Sequence, residues 1–100
     1  MRGIVLSKRA AKKLDKLLNY LESEWSERVK INYVEKFDQI VNQLRTFPEI
    51  GQETELVKGL RRLVITKQTT IYYRYDNKYV KIAAIFDTRM DPMKIKKEIK

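Results

Sequence analysis

The stretch "LRRLVITKQTTIYYRYDNKYVKIAAIF", residues 60–86, decides the fold. It holds three apolar, β-branched and aromatic runs, "LRRLVIT", "TIYYRY" and "YVKIAAIF", separated only by "KQT" and by the turn in "YDNKY". Runs of this length and composition, spaced by turn residues, predict consecutive hairpin-linked strands. Asp76 and Asn77 favour tight turns, because their side chains bond their own backbone. On the middle strand Ile71, Tyr73 and Tyr75 point one way and Thr70, Tyr72 and Arg74 the other. We assign the first set to a covered face and the second to an open one. The preceding strand alternates Arg61, Leu63 and Ile65 with Leu60, Arg62 and Val64. Both sets are mixed, so the sequence does not set its facing.

Upstream, the period changes from two to about 3.6. After a short first strand, "GIVLS", the positions Ala10, Ala11, Leu14, Leu17, Leu18, Leu21 and Trp25 step by three and four, one face of a helix. Val29, Tyr33, Phe37, Ile40, Val41, Leu44 and Phe47 repeat the pattern in a second helix. Ser7 and Ser26 are the expected N-caps, each able to accept a backbone N–H of the first turn. Pro48 ends the second helix by excluding helical geometry from the residue before it. The few residues around Trp25 join the two helices as an antiparallel hairpin whose apolar stripes meet as core. "PEIGQETELVKG" is a connecting loop, with Gly51 expected to take a conformation other residues avoid. "DPMKIKKEIK" reads as a short basic C-terminal helix, capped by Asp91 with Pro92 at its first position.

One hundred residues suit a single domain spanning 1–100. The chain has no cysteine and no histidine. Disulfides, thiolate metal sites, cysteine nucleophiles and imidazole bases are therefore excluded, and neither metal nor cofactor is expected. No apolar run approaches the roughly 18 residues of a membrane span, which with the missing cysteines implies a cytoplasmic protein. The net charge of +9 is uneven: +5 over residues 1–20, −4 over 21–57, +5 over 58–87 and +3 over 88–100. Basic ends around an acidic middle suit a polyanionic or acidic partner, or simply a solvated surface. Lys8, Arg9, Lys12, Lys13 and Lys16 crowd the start of the first helix, where its dipole favours anions instead.

The succession "VLSKRAAKKLDKL", "FPEIG", "GLRRLVI", "TIYYRY" and "VKIAAIFDTR" resembles the RelE/ParE superfamily of bacterial toxin–antitoxin toxins over nearly the whole chain, and is nearer its ParE branch. The resemblance implies an α+β fold of order β-α-α-β-β-β, an antiparallel sheet with a helical hairpin packed on one face. It implies a cognate antitoxin that wraps the toxin in a hetero-oligomer, in a plasmid-stabilising role. ParE-type toxins of the superfamily act on DNA gyrase, and RelE-type toxins cleave mRNA in the ribosome.

The residues separate these readings. RNA cleavage needs a base for the 2′-hydroxyl, a cation for the phosphorane and an acid for the leaving oxygen. By the resemblance, Arg89 stands where nuclease members keep a basic residue, and Asp87 where many members carry histidine. Thr70 stands where nucleases carry arginine, and no tyrosine follows Tyr79. The nuclease set thus shrinks to Arg89 for the phosphorane, Asp87 as proton acceptor, and Lys67 or Arg74 assisting. For target or antitoxin binding, the candidates are Arg61, Arg62, Tyr72, Arg74, Arg89, Lys94, Lys96 and Lys97, because tyrosine and arginine dominate binding hot spots. Three functions follow: a gyrase-binding toxin, a metal-independent endoribonuclease acting with ribosome and mRNA, or a non-toxic protein-binding member. The bland reading of Asp87 and Thr88 is turn capping, with Arg89 in a surface ion pair.

Overall fold

Two serines start the two helices. A computed structural model describes residues 1–55 and 57–87 of the chain. Ser7 Oγ accepts the Ala10 N–H at 3.0 Å, opening α1 (Lys8–Glu24). Ser26 Oγ accepts the Val29 N–H at 3.1 Å, opening α2 (Glu27–Thr46). Both caps match the sequence reading, as does the stop at Pro48, which begins a single 3-10 turn, Pro48–Ile50. The two ends of the apolar stripes differ from it. Trp25 is the α1 C-cap and Phe47 the α2 C-cap, and both are exposed. Each stands where its own helix has already ended.

The strands are β1 (Gly3–Leu6), β2 (Gln52–Glu53), β3 (Arg61–Val64), β4 (Thr69–Tyr75) and β5 (Tyr79–Asp87). They form one sheet in the order β1-β5-β4-β3-β2. The predicted meander is there, β3 to β5, with antiparallel neighbours. The expectation of a fully antiparallel sheet is corrected: β1 pairs parallel with β5, Gly3 opposite Tyr79 and Leu6 opposite Ile82. The hairpin of helices and all the later strands lie between β1 and β5 in the chain, so the long connection that a parallel pair requires is available. The loop between α2 and β3 also contributes the two-residue edge strand β2. The C-terminal helix, with Asp91 and Pro92, lies outside the described residues.

The core sits between the hairpin and one face of the sheet. Ala10, Leu17 and Leu21 of α1 meet Tyr33, Phe37 and Leu44 of α2 above Ile71, Tyr73, Val80, Ile82 and Ile85. Each fully buried leucine contributes roughly 1.5–3 kcal/mol by leaving water. The turn between β4 and β5 is set by Asp76, whose Oδ1 accepts the Lys78 and Tyr79 N–H groups at 2.8 Å each. Those two donors, with Lys81 helping, hold the Asp76 carboxyl below its usual range.

One irregularity in β5 governs the rest. Tyr72 lies opposite Ala84 but Tyr73 lies opposite Ile82, so Ala83 is an extra residue, a β-bulge. Ser7 is bound to this point: its N–H donates to the Ile82 carbonyl at 2.9 Å, and its hydroxyl to the Ala83 carbonyl at 2.9 Å. Before the bulge the even residues Val80 and Ile82 face the helices. After it the odd residues Ile85 and Asp87 do, and Phe86 turns to the other face.

Candidate functional site

The face of the sheet away from the helices is built in rows across the strands. Paired residues share a face, so Gln52, Arg62, Tyr72 and Ala84 form one row, and Val64, Thr70 and Phe86 another. Arg74, Lys81 and Val5 form a third. The facing of β3, which the sequence left open, is thereby fixed: Arg62 and Val64 point outward and Leu63 toward the helices. Arg62, Arg74 and Lys81 are exposed, as are Val5, Val64 and Tyr79 beside them. Arg74 and Lys81 are directly opposite like charges, an arrangement that costs stability unless an anion sits near. Lys81 Nζ has one, Asp76 Oδ2 at 3.3 Å; Arg74 has no ion pair among the described residues.

Tyr72 faces the open side as expected, but its exposure is corrected. It is 8% exposed, and packs edge-on against Phe86 with ring centroids 5.3 Å apart. Leu60, Ala83 and Ala84 complete a second, small apolar cluster. The bulge supplies Phe86 to this face, and burial of two rings outweighs leaving either in water. Tyr72 therefore forms part of the wall of a cleft of about 400 Å³, shared with Gln52, Glu53, Thr54, Glu55 and Arg62.

Arg61, expected at the partner surface, has an internal task. Paired with Tyr73, it lies on the helix side of the sheet. Its Nη1 donates to the Gly51 carbonyl at 2.6 Å and the Glu49 carbonyl at 3.1 Å, and its Nη2 to Glu53 Oε1 at 3.3 Å. It thus clamps the loop after α2 to the sheet. Tyr75, assigned to the covered face with Ile71 and Tyr73, is exposed at the end of β4, with the Arg2 and Arg61 guanidiniums 5.4 and 5.7 Å from its ring centre.

Asp87 is buried at 2% exposure and accepts the Thr69 hydroxyl at 2.5 Å. Its neighbour is wholly buried too. Lys67 is exposed in the β3–β4 turn, where Thr66 Oγ1 accepts the Gln68 and Thr69 N–H groups, at the same end of the sheet. Arg74 is not at that end: it lies five positions along β4 from Thr69, roughly 17 Å of strand. The structure therefore brings Lys67 and Asp87 to one end and leaves Arg74 at the other. Arg89, Lys94, Lys96 and Lys97 lie outside the described residues.

Among the described residues no group of three or more carboxylates is placed to hold a metal ion, and no helix is long and apolar enough to cross a membrane.

The family model described as the ParE toxin of the type II toxin–antitoxin system parDE matches residues 4–92. The chain belongs to the ParE toxin family. Solved structures agree on the fold. The chromosomal ParDE toxin–antitoxin system of P. aeruginosa superposes with a TM-score of 0.71 at 20% identity, covering 87% of this chain and 96% of that one. The YoeB dimer of Staphylococcus aureus gives 0.63 at 13% identity, covering 85% and 94%. The E. coli DinJ–YafQ toxin–antitoxin complex gives 0.59 at 11% identity, covering 91% and 97%. No curated protein matches in sequence.

Seen as a ParE-family sheet, the open face contains a basic residue that sequence reasoning passed over. Lys81 was legible as the outward member of "YVKIA", between Val80 and Ile82, had the third strand been given faces like the second. The role of Asp87 had no such signal. Its facing depends on the bulge at Ala83, and nothing in "KIAAIFD" marks where the extra residue falls.

Proposed function

We propose that the chain is the toxin of a cytoplasmic toxin–antitoxin pair that arrests growth by binding DNA gyrase, and that a cognate antitoxin masks it in a hetero-oligomer. Membership of the ParE family supports the first part. The observation that carries the choice of binding over cutting is the Thr69–Asp87 bond: the acid best placed in sequence to accept a proton is spent inside the core. A general base must reach the proton it takes. What the open face offers instead is Arg62, Arg74 and Lys81 among exposed Val5, Val64 and Tyr79, a mix of cation and apolar surface suited to a protein partner. The same face suits an acidic antitoxin segment by charge.

A supercoiling assay with purified protein tests this. Inhibition of gyrase that is relieved by the antitoxin is the expected result. Undisturbed supercoiling at stoichiometric excess, with no trapped cleavage complex, rejects it. Toeprinting on translating ribosomes is the matching test for mRNA cleavage, and cuts that disappear in Asp87→Asn would reinstate the nuclease reading.

A further inference from the structure

At one end of the molecule two arginines meet without a carboxylate. Arg2 precedes β1, and Arg45 lies in the last turn of α2. Their main chains are joined: the Arg2 N–H donates to the Arg45 carbonyl at 3.1 Å. The Arg45 Nε donates in return to the Arg2 carbonyl at 2.9 Å, and the Arg2 Nε to the Asp76 carbonyl at 2.7 Å. The Arg2 guanidinium also lies 5.4 Å from the centre of the Tyr75 ring. Both side chains are thus oriented through Nε, while their Nη groups have no protein acceptor among the described residues.

The ion pairs among the described residues are Lys30–Glu22, Arg61–Glu53 and Lys81–Asp76, none of them here. The carboxylate of Asp76, whose main-chain carbonyl accepts from Arg2, is occupied by the Lys78 and Tyr79 N–H groups and by Lys81. The two arginines line a cavity of about 370 Å³, together with Met1, Thr46 and Asn77.

We propose that this cavity is an anion site that takes a phosphoryl group. Two guanidiniums match the charge of a phosphomonoester dianion, and the Nη fork matches its oxygens in pairs. The Thr46 hydroxyl and Asn77 amide add neutral donors. The C-terminus of α2 opposes an anion, but two of its terminal carbonyls are covered, Arg45's by the Arg2 N–H and Gln43's by the Phe47 N–H, and the two guanidinium charges outweigh the partial charge that remains. Fixing each guanidinium in advance lowers the entropy lost on binding. The volume accommodates a phosphate with a sugar attached as well as the bare ion. The proposal is independent of whether gyrase is the target.

The test follows the Arg2 and Arg45 Nε–Hε resonances, and in parent and variants alike the Thr46 and Asn77 backbone amides that line the same cavity, by NMR during titration at constant ionic strength. The probes are inorganic phosphate, adenosine 5′-monophosphate, and one oligonucleotide with and without its 5′-phosphate. Saturable shifts of both resonances are expected, with affinity at least tenfold lower in Arg2→Gln/Arg45→Gln and unchanged in Arg62→Gln/Arg74→Gln. Equal binding of the two small probes assigns the site to free phosphate compounds. Tighter binding of the phosphorylated oligonucleotide alone assigns it to nucleic-acid ends. Shifts that do not saturate with any probe in the unmutated protein, or affinity unaltered in the folded double variant, overturn the proposal. The unmutated protein decides even if that variant fails to fold.

Discussion

The Tyr73 hydroxyl is held by the backbone around Gly51: it accepts the Gly51 N–H at 2.8 Å and donates to the Pro48 carbonyl at 2.6 Å. All three groups are buried. A Cβ on residue 51 would overlap that hydroxyl and come within 2.8 Å of two ring carbons. Gly51 has φ −72° and ψ 150°, ordinary extended backbone, so closeness to Tyr73 and not an unusual conformation demands glycine. The left-handed glycine of the region is Gly59, at φ 82°. Gly51→Ala should therefore destabilise by roughly 1–3 kcal/mol through overpacking. Because ring carbons also clash, Tyr73→Phe should not rescue it. Urea unfolding of the two single variants and the double variant checks both statements.

Tyr73→Phe by itself strands a buried N–H and a buried carbonyl, and should cost about 1–3 kcal/mol. The loss should depend on pH. Burial pushes the Tyr73 hydroxyl above its usual 10.0, against the Gly51 N–H and the Arg61 guanidinium. An acid whose folded pKa is raised contributes stability that is fully present below the unfolded pKa and is lost as pH rises through the folded one. The gap between the parent and Tyr73→Phe should thus be constant below about pH 10 and shrink above it. Paired denaturation curves on both sides of that pH would show it; a gap that widens in alkali contradicts the assignment.

The Thr69–Asp87 bond predicts a split between stability and activity. Thr69→Val leaves the carboxylate without this donor and should cost about 1–3 kcal/mol. Asp87→Asn keeps an acceptor for the Thr69 hydroxyl, so a structural role predicts growth inhibition within a few-fold of the parent. Loss of inhibition in a folded Asp87→Asn protein would mean that the carboxylate charge itself acts.

Two arginines of similar sequence appeal should behave in opposite ways. Arg61→Ala removes the clamp on the Glu49 and Gly51 carbonyls, and should lower stability by about 1–2 kcal/mol. Arg74→Glu, on the open face, should change stability by no more than about 0.5 kcal/mol, as surface substitutions do. Its effect should fall on binding: weaker capture of an acidic antitoxin, mainly through slower association, and more so at low salt. Surface plasmon resonance at two ionic strengths, beside thermal melts, separates the pair.

Much of the fold was legible because it is local. The Ser7 and Ser26 caps, the proline stop, the two apolar stripes and the Asp76 turn depend on residues within a few positions of one another, and they stand as read except at Trp25 and Phe47, the exposed ends of the stripes. The alternation in β4 correctly put Ile71 and Tyr73 under the helices and Tyr72 and Arg74 opposite. What alternation cannot give is how deeply a residue on either face is buried. Tyr72 is covered because Phe86 arrives from β5, and Tyr75, the last residue of β4, is left exposed.

The sequence by itself determined a ParE-family chain with two capped helices and a meander, rich in arginine and lysine and without histidine or cysteine. The tertiary structure decided which of its polar residues face outward. A one-residue bulge at Ala83, bound to Ser7 some 76 positions away, reverses the facing of everything after it in β5. A period of two has no memory of an inserted residue, so only the pairing with β4 reveals that Asp87 turns inward to Thr69 while Phe86 turns out.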